Sequence, residues 1–194
     1  VIVIGVVPTG ASLDRSKIPF PVQNRNASDI ENANPLSISD FLRQSFTSVT
    51  LNDAQNNPMQ PDLQYRGFTA SPLLGLAQGL AGARINEPLG DAVNWDLLPQ
   101  SAVQSITLSG GANPLFGLNS LGGSLIVDMK DGFNSPGSSV EVSSGSFGRT
   151  TANIEFGGNN GSLAYYANLE SFEEDGWRDH SESEALNFYG SVGW

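Results

Sequence analysis

A cluster of carboxylates near the end of the sequence is the first group of side chains that could do chemistry. Its members lie between residues 170 and 184 and are Glu170, Glu173, Glu174, Asp175, Asp179, Glu182 and Glu184. Clustered carboxylates can bind Ca²⁺, but a calcium loop places them at alternate positions around a turn glycine. That spacing is absent here, so we predict a solvated loop and no metal site.

Side chains suited to catalysis are scarce. His180 is the single histidine, and the chain has no cysteine. An imidazole without a second histidine or a thiolate makes a poor metal site, and it leaves few ways to pair a nucleophile with a base. We therefore expect His180 in an exposed loop. We predict that the chain is not an enzyme and has no catalytic residue, no metal and no cofactor.

The composition excludes several classes of protein. The 194 residues carry 20 acidic and 9 basic side chains, a net charge of −11. This balance argues against nucleic acid as a partner, because phosphate binding needs clustered lysine and arginine. Apolar residues make up 39% of the chain, which is too many for a disordered protein. The longest apolar run, residues 1–7, is far shorter than the ~20 residues of a membrane helix, whereas membrane β-strands of ~10 residues fit the sequence.

Residues before Phe133 mix helix and strand patterns. Segments 28–31 and 37–40 have the capping-box form that opens helices. After the second cap, one helical face carries Ile38, Phe41, Leu42 and Phe46. Short strands are predicted at residues 49–51, 63–65, 106–108 and 124–129. The pattern predicts an α+β domain with a helix over residues 39–44 and a central sheet formed by residues 63–65, 106–108 and 125–127.

Residues after Phe133 alternate between apolar and polar side chains. This period of two predicts four strands, each with one apolar face. The apolar positions are Val140 and Val142; Ala152, Ile154 and Phe156; Leu163, Tyr165, Ala167 and Leu169; and Phe188, Val192 and Trp194. Connections are expected around Phe147, at residues 157–161 and at residues 173–185. Four such strands cannot close a barrel, and open sheet edges are not tolerated inside a membrane, so the pattern predicts part of a larger barrel.

Six segments, taken in order, resemble TonB-dependent outer-membrane receptors of Gram-negative bacteria. They are residues 1–5, similar to the TonB box; 38–44, similar to a plug helix that reads ADALRQ; 63–68, ending in the motif RGF; 84–86, similar to the end of DGVRIN; 115–127, similar to ALYG followed by GGVINI; and 174–178, similar to an early extracellular loop. Each motif alone is common, whereas their order and spacing over nearly the whole chain is specific to the family.

Two segments depart from the family pattern. Residues 81–83 run directly into Arg84, where the family has an apolar strand that ends in Asp-Gly. Gly110, Gly111 and Ala112 stand where the family usually has Arg-Gly-Pro. A plug arginine that often lies near the barrel wall is therefore absent from this chain.

The resemblance implies a fold and a division of the chain. Residues 1–8 would be a TonB-box-like segment, residues 9–132 an α+β plug domain, and residues 133–194 the first antiparallel strands of a transmembrane β-barrel. The family's barrel has 22 strands around a plugged lumen, of which this sequence supplies about four. Since the N-terminus of the family is periplasmic, the strand at residues 138–146 is expected to run outward.

The resemblance also implies a function and partners. The expected activity is TonB-dependent active transport of a scarce solute, most often an iron–siderophore complex, across the bacterial outer membrane, with the plug gating the barrel. The plug would face the periplasm and the barrel lumen. The expected partners are TonB with the inner-membrane energising complex ExbB–ExbD, outer-membrane lipid, and a small ligand such as a metal chelate.

Three sets of residues are implied as sites, each with a simpler alternative. The TonB contact would be Val1, Ile2, Val3, Ile4 and Gly5, which could equally be the first strand of a sheet. The plug–barrel contact would be Arg66 and Gly67, where the alternative is a surface arginine. Substrate contacts are expected from polar plug loops and would be Asn56, Asn57, Gln60 and Gln78, which could instead form ordinary loops.

Two other classes of protein remain alternatives. A strand-rich extracellular adhesin would fit the acidic composition, but it predicts repeat periodicity, and no unit recurs in the sequence. A periplasmic signalling module built from the plug alone would leave the four strands after Phe133 unexplained. The transporter accounts for both parts of the chain.

Overall fold

The structure, a computed structural model, describes residues 3–5, 12–14, 18–52, 61–68, 77–78, 85–86, 93–112 and 121–194, with only the backbone for 3–5, 12–14 and 77–78. Contacts between residues divide the chain into two units. The first comprises Val1–Trp95 and Val103–Met129, and the second comprises Asp96–Ala102 and Lys130–Trp194. Within the described ranges, no helix is long and apolar enough to cross a membrane.

The first unit mixes strands and helices in its described part. In chain order the strands are β1 (Val3–Gly5), β2 (Ser12–Asp14), β3 (Val22–Asn26), β4 (Val49–Asn52), β5 (Asp62–Tyr65), β6 (Ala77–Gln78), β7 (Val103–Gly110) and β8 (Gly123–Met129). Two helices, α1 (Ala27–Ala33) and α2 (Ile38–Ser45), lie between β3 and β4 in sequence. This arrangement confirms the predicted α+β fold.

A four-stranded sheet in the order β3-β7-β8-β6 forms the centre of the first unit. Strand β7 is antiparallel to both of its neighbours, and β6 is parallel to β8. The sheet buries Ile106, Leu108, Leu125 and Val127, which confirms two of the three strands predicted for it. The prediction that residues 63–65 join this sheet is wrong. Both edges of β7 and of β8 are occupied, and β5 pairs with β4 instead.

Strand β3 is not predicted by the sequence, because Val22 is the single apolar residue in the segment VQNRN. Its backbone pairs with β7 along all five residues. A side-chain hydrogen bond reinforces this pairing, since Asn24 Nδ2 donates to Thr107 Oγ1 at 2.7 Å. Pairing with a distant strand therefore forms β3, and apolar periodicity contributes little.

Both helices begin at a polar N-cap. Ser37 caps α2, and its Oγ accepts a hydrogen bond from the Asp40 amide at 3.2 Å, as predicted. The predicted cap of α1 at Ser28 is wrong, because Asn26 occupies the N-cap position two residues earlier. The Asn26 side chain accepts from the Asp29 amide, and the Asp29 carboxylate accepts from the Asn26 amide. This reciprocal capping box satisfies two donors that the helix leaves free.

Helix α2 buries the apolar face that the sequence predicted. Ile38, Phe41 and Leu42 are buried, and Phe46, directly after the helix, is buried as well. The Phe41 and Phe46 rings meet edge to face with centroids 6.3 Å apart, a favoured aromatic geometry. Trp95 is also buried.

The second unit contains a sheet of four antiparallel strands in sequential order. They are β9 (Gly137–Ser144), β10 (Thr150–Asn159), β11 (Ala164–Glu174) and β12 (Ser183–Gly193). This confirms the four predicted strands after Phe133. The turn predicted at residues 157–161 lies at 160–163, because Gly157 and Gly158 pair with β11. The long connection shortens to residues 175–182, because β11 and β12 extend further than predicted.

Candidate functional site

The sheet formed by β9–β12 has one exposed apolar face. Residues paired across neighbouring strands form rows, and one row on this face is Val140, Ile154, Leu169 and Phe188. Val140 and Phe188 are 71% and 73% exposed. A contiguous exposed apolar surface marks a place where the protein meets another apolar phase. The predicted alternation of faces is confirmed.

The opposite face of this sheet is polar and centres on Glu155. The Lys130 ammonium lies 3.0 Å from Glu155 Oε2, and the Tyr166 hydroxyl donates to the same oxygen at 2.7 Å. Ser139 Oγ donates to Glu155 Oε1 at 2.8 Å. Lys130 and Tyr166 are both buried. Both carboxylate oxygens are thus satisfied, as a charge at a partly buried position requires.

A segment from the middle of the sequence is bound to this polar face. Ser101 donates twice to Glu170 Oε2, from its amide at 3.1 Å and from its hydroxyl at 2.6 Å. Asn168 Nδ2 donates to Ser101 Oγ at 3.0 Å and to Asn153 Oδ1 at 2.7 Å. The predicted place of Glu170 in a solvated loop is therefore wrong. Glu170 lies in β11 and accepts hydrogen bonds from a segment far away in sequence.

One end of the sheet is closed by an ion pair that the sequence did not suggest. Arg149 Nε donates to Glu174 Oε2 at 3.1 Å, and its guanidinium lies 5.4 Å from the centre of the Phe172 ring. The Asp175 amide donates to the Phe147 carbonyl at 2.9 Å. Glu174 is thus the second carboxylate whose predicted solvation is wrong, since its side chain is only 9% exposed.

The remaining acidic residues of the cluster are solvated, as predicted, but the predicted loop holds only for Asp175, Asp179 and Glu182, because Glu173 lies in β11 and Glu184 in β12. The exposed members are Glu173, Asp175, Asp179, Glu182 and Glu184, and His180 is exposed beside them. In the part of the chain that the structure describes, no group of three histidine, cysteine, aspartate or glutamate side chains is placed to hold a metal ion.

Arg66 and Gly67 form the turn after β5. Both have positive φ, 52° and 84°, and Arg66 is exposed with its guanidinium 5.1 Å from the centre of the Tyr65 ring. A cavity of about 540 Å³ lies beside this turn, and Arg25 and Arg66 both line it. The role of Arg66 and Gly67 as contacts to the barrel stays a prediction.

The segment resembling a TonB box is described in part. Its residues Val3–Gly5 form β1, which pairs antiparallel with β2 in the register Val3 to Asp14 and Gly5 to Ser12. Val1 and Ile2 lie outside the described residues. The extended backbone suits strand addition, and one edge of β1 already has a partner in its own chain. The contact with TonB stays a prediction.

The proposed substrate contacts are mostly outside the described residues. Asn56, Asn57 and Gln60 lie outside the described residues. For Gln78 the structure gives the backbone only, which pairs with Val127 in the parallel ladder of β6 and β8. Their role stays a prediction.

The polar side chains that the structure brings together were missed by the sequence-based prediction. They are Ser101, Lys130, Glu155, Asn168 and Glu170. One pattern in the sequence could have indicated the pair of Lys130 and Glu155. Lys130 directly follows the apolar strand β8, and a buried cation at such a position needs a partner of opposite charge.

A model of the TonB-dependent receptor plug domain matches residues 14–124, more than half of the chain. The chain belongs to the TonB-dependent receptor plug domain family. A comparison of the sequence with curated proteins finds no match.

Solved receptors share the fold over almost the whole chain. The pyoverdine outer membrane receptor FpvA from Pseudomonas aeruginosa PAO1 is 17% identical with a TM-score of 0.74, over 98% of this chain and 27% of that one. The siderophore receptor PiuA from Acinetobacter baumannii is 18% identical with a TM-score of 0.70, and the match covers 95% of this chain and 25% of that one. The alcaligin outer membrane receptor FauA from Bordetella pertussis is 16% identical with a TM-score of 0.67, and the match covers 98% of this chain and 32% of that one. The chain thus spans about a quarter to a third of these receptors, and the likeness confirms a plug domain followed by antiparallel strands.

Proposed function

We propose that the chain is the plug and the first barrel strands of an active transporter in the outer membrane of a Gram-negative bacterium. One observation carries the proposal: the plug-domain match is followed along the chain by a sheet whose one face exposes large apolar side chains, with one complete row of them across its four strands. A plug domain occludes the lumen of a barrel, and the strands of such a barrel turn an apolar face toward lipid. The plug gates passage of the solute, and no covalent chemistry is involved.

The proposed solute is an iron–siderophore complex. The solved receptors FpvA, PiuA and FauA are named for siderophores or their receptors, which supports the choice of ligand class. TonB, energised by ExbB–ExbD, is the proposed partner on the periplasmic side. Outer-membrane lipid is the proposed environment of the row that includes Val140 and Phe188.

The test is iron uptake by the full-length receptor. It would be produced in cells that lack their own siderophore receptors and supplied with radioactive iron bound to pyoverdine, to alcaligin or to a catecholate siderophore. We expect accumulation with at least one chelate, lost when the tonB gene is deleted. Binding of every chelate without accumulation in either strain would contradict transport, and cell adhesion without binding would favour the adhesin.

The orientation of the sheet is a further part of this proposal. Since β9 is expected to run outward, residues 175–182 would be extracellular and the shorter turn at 160–163 periplasmic, as is usual for such barrels. In intact cells, a membrane-impermeant maleimide should label the variant Asp179→Cys and leave Ser162→Cys unlabelled. Both residues are exposed, so the two variants are matched in accessibility. Labelling at Ser162→Cys with protection at Asp179→Cys would reverse the topology.

A further inference from the structure

The segment Asp96–Ala102, which we call the strap, groups with the strands of the second unit although its neighbours in sequence belong to the first. Hydrogen bonds hold it at both of its ends. Asn187 Nδ2 donates to the Asp96 carbonyl at 2.7 Å, and Ser101 donates to Glu170 from its amide and its hydroxyl. The strap is therefore bound to β11 and β12 at two separate points.

A second passage of the chain is fastened to the same sheet. The Lys130 amide donates to the Ala102 carbonyl at 2.8 Å, and the Lys130 ammonium pairs with Glu155 in β10. The chain thus leaves the second unit after Ala102 and returns to it at Lys130, and one hydrogen bond joins these two points. The polypeptide between them forms β7 and β8.

Burial makes these attachments hard to release. Asn168 is 1% exposed and Ala102 is fully buried, and Glu170 accepts two hydrogen bonds from Ser101. Hydrogen bonds to a charged acceptor are stronger than neutral ones, and leaving such a carboxylate unpaired is costly. By contrast, β1 with β2 and β4 with β5 form sheets of two strands, an arrangement with little stability of its own.

We infer that the strap stays attached to the polar face of β10–β12 while other parts of the plug rearrange during transport. Ser101, Asn168 and Glu170 are positioning residues that define which part of the plug remains on the barrel strands. The hydrogen bonds of Ser101 and Asp96 support the attachment of the strap. The rearrangement of the other parts of the plug rests on the proposed function. Two experiments separate these parts.

The first experiment measures hydrogen exchange of the purified full-length receptor in increasing urea. Peptides that cover residues 96–102 should keep their protection together with β10–β12 at urea concentrations where the two-stranded sheet of β4 and β5 has already exchanged. Glu170→Ala should raise the exchange rate at residues 96–102 by about tenfold or more, because the Ser101 donors lose a charged acceptor. Glu141→Ala is the matched control, because Glu141 lies in the same row of the same face, Glu141, Asn153, Glu170 and Asn187, and is exposed. Exchange of the strap together with β4 and β5 would overturn the attachment.

The second experiment ties the strap to the sheet during uptake. The 194 residues contain no cysteine, so Asp96→Cys with Asn187→Cys, two half-buried positions that meet in the structure, can be joined by a short, cleavable thiol-specific linker in the full-length receptor. Uptake of ferric siderophore should be the same before and after linking, with each single-cysteine variant as control. Loss of uptake on linking, restored when the linker is cleaved, would overturn the inference while transport stands. If no form of the receptor accumulates iron, transport itself is contradicted, and hydrogen exchange still decides whether the strap is attached.

Discussion

Replacing Val3 by proline should reduce siderophore uptake to the level of cells without TonB, while leaving the affinity for external ligand nearly unchanged. Val3 lies in β1, whose backbone is extended and pairs with β2. A partner strand binds such a segment through main-chain hydrogen bonds, and proline removes an N–H donor and restricts φ. Because β2 covers one edge of β1, TonB would bind the other edge or displace β2, and both routes need an intact backbone.

The matched control for this variant is Val3→Ile, which keeps the N–H group and the preference for extended backbone. Uptake by Val3→Ile should be close to that of the unmodified receptor, and Ile2→Pro should behave like Val3→Pro. Uptake would be measured with the radioactive chelate, and affinity by binding to whole cells at low temperature. Normal uptake by both proline variants would mean that β1 is only a structural strand and that energy is coupled elsewhere.

Replacing Lys130 by methionine should lower the free energy of unfolding by about 2–4 kcal/mol, close to the cost of breaking a buried ion pair. The Lys130 side chain is 8% exposed and that of Glu155 is 19% exposed. Methionine keeps most of the length of the side chain but leaves the carboxylate with only two hydroxyl donors, Tyr166 and Ser139. Urea titration of the receptor refolded in lipid vesicles measures the change.

Arg43→Met is the matched control, because it removes the cation of an ion pair with Asp40 at 2.7 Å in which the cation itself is solvated, the Arg43 side chain being 53% exposed. Such pairs contribute little, so the expected loss is about 0.5 kcal/mol or less. The double variant Lys130→Met with Glu155→Gln should recover part of the loss, because no unpaired charge remains. If Lys130→Met and Arg43→Met lower the free energy of unfolding equally, burial does not strengthen the contribution of the Lys130–Glu155 pair to stability.

Elements with a local cause were predictable from the sequence. The cap at Ser37 and the apolar face of α2 depend on residues within a few positions of each other, and so does the alternation that defines β9–β12. Where a competing local contact existed, the prediction was wrong by a small amount. Asn26, and not Ser28, caps α1, since its side chain reaches the Asp29 amide.

By itself, the sequence determined the family, the presence of helices and strands in the first part, and which face of each later strand is apolar. The tertiary structure alone decided that β5 pairs with β4, that β3 joins β7, and that Glu170 and Glu174 are partners of distant groups and not solvated charges. The physical reason is separation along the chain. Ser101 and Glu170 are 69 residues apart, and Asp96 and Asn187 are 91 apart. No short window of sequence records such a pair, because each side chain alone is compatible with solvent and only the folded backbone brings the donor to its acceptor.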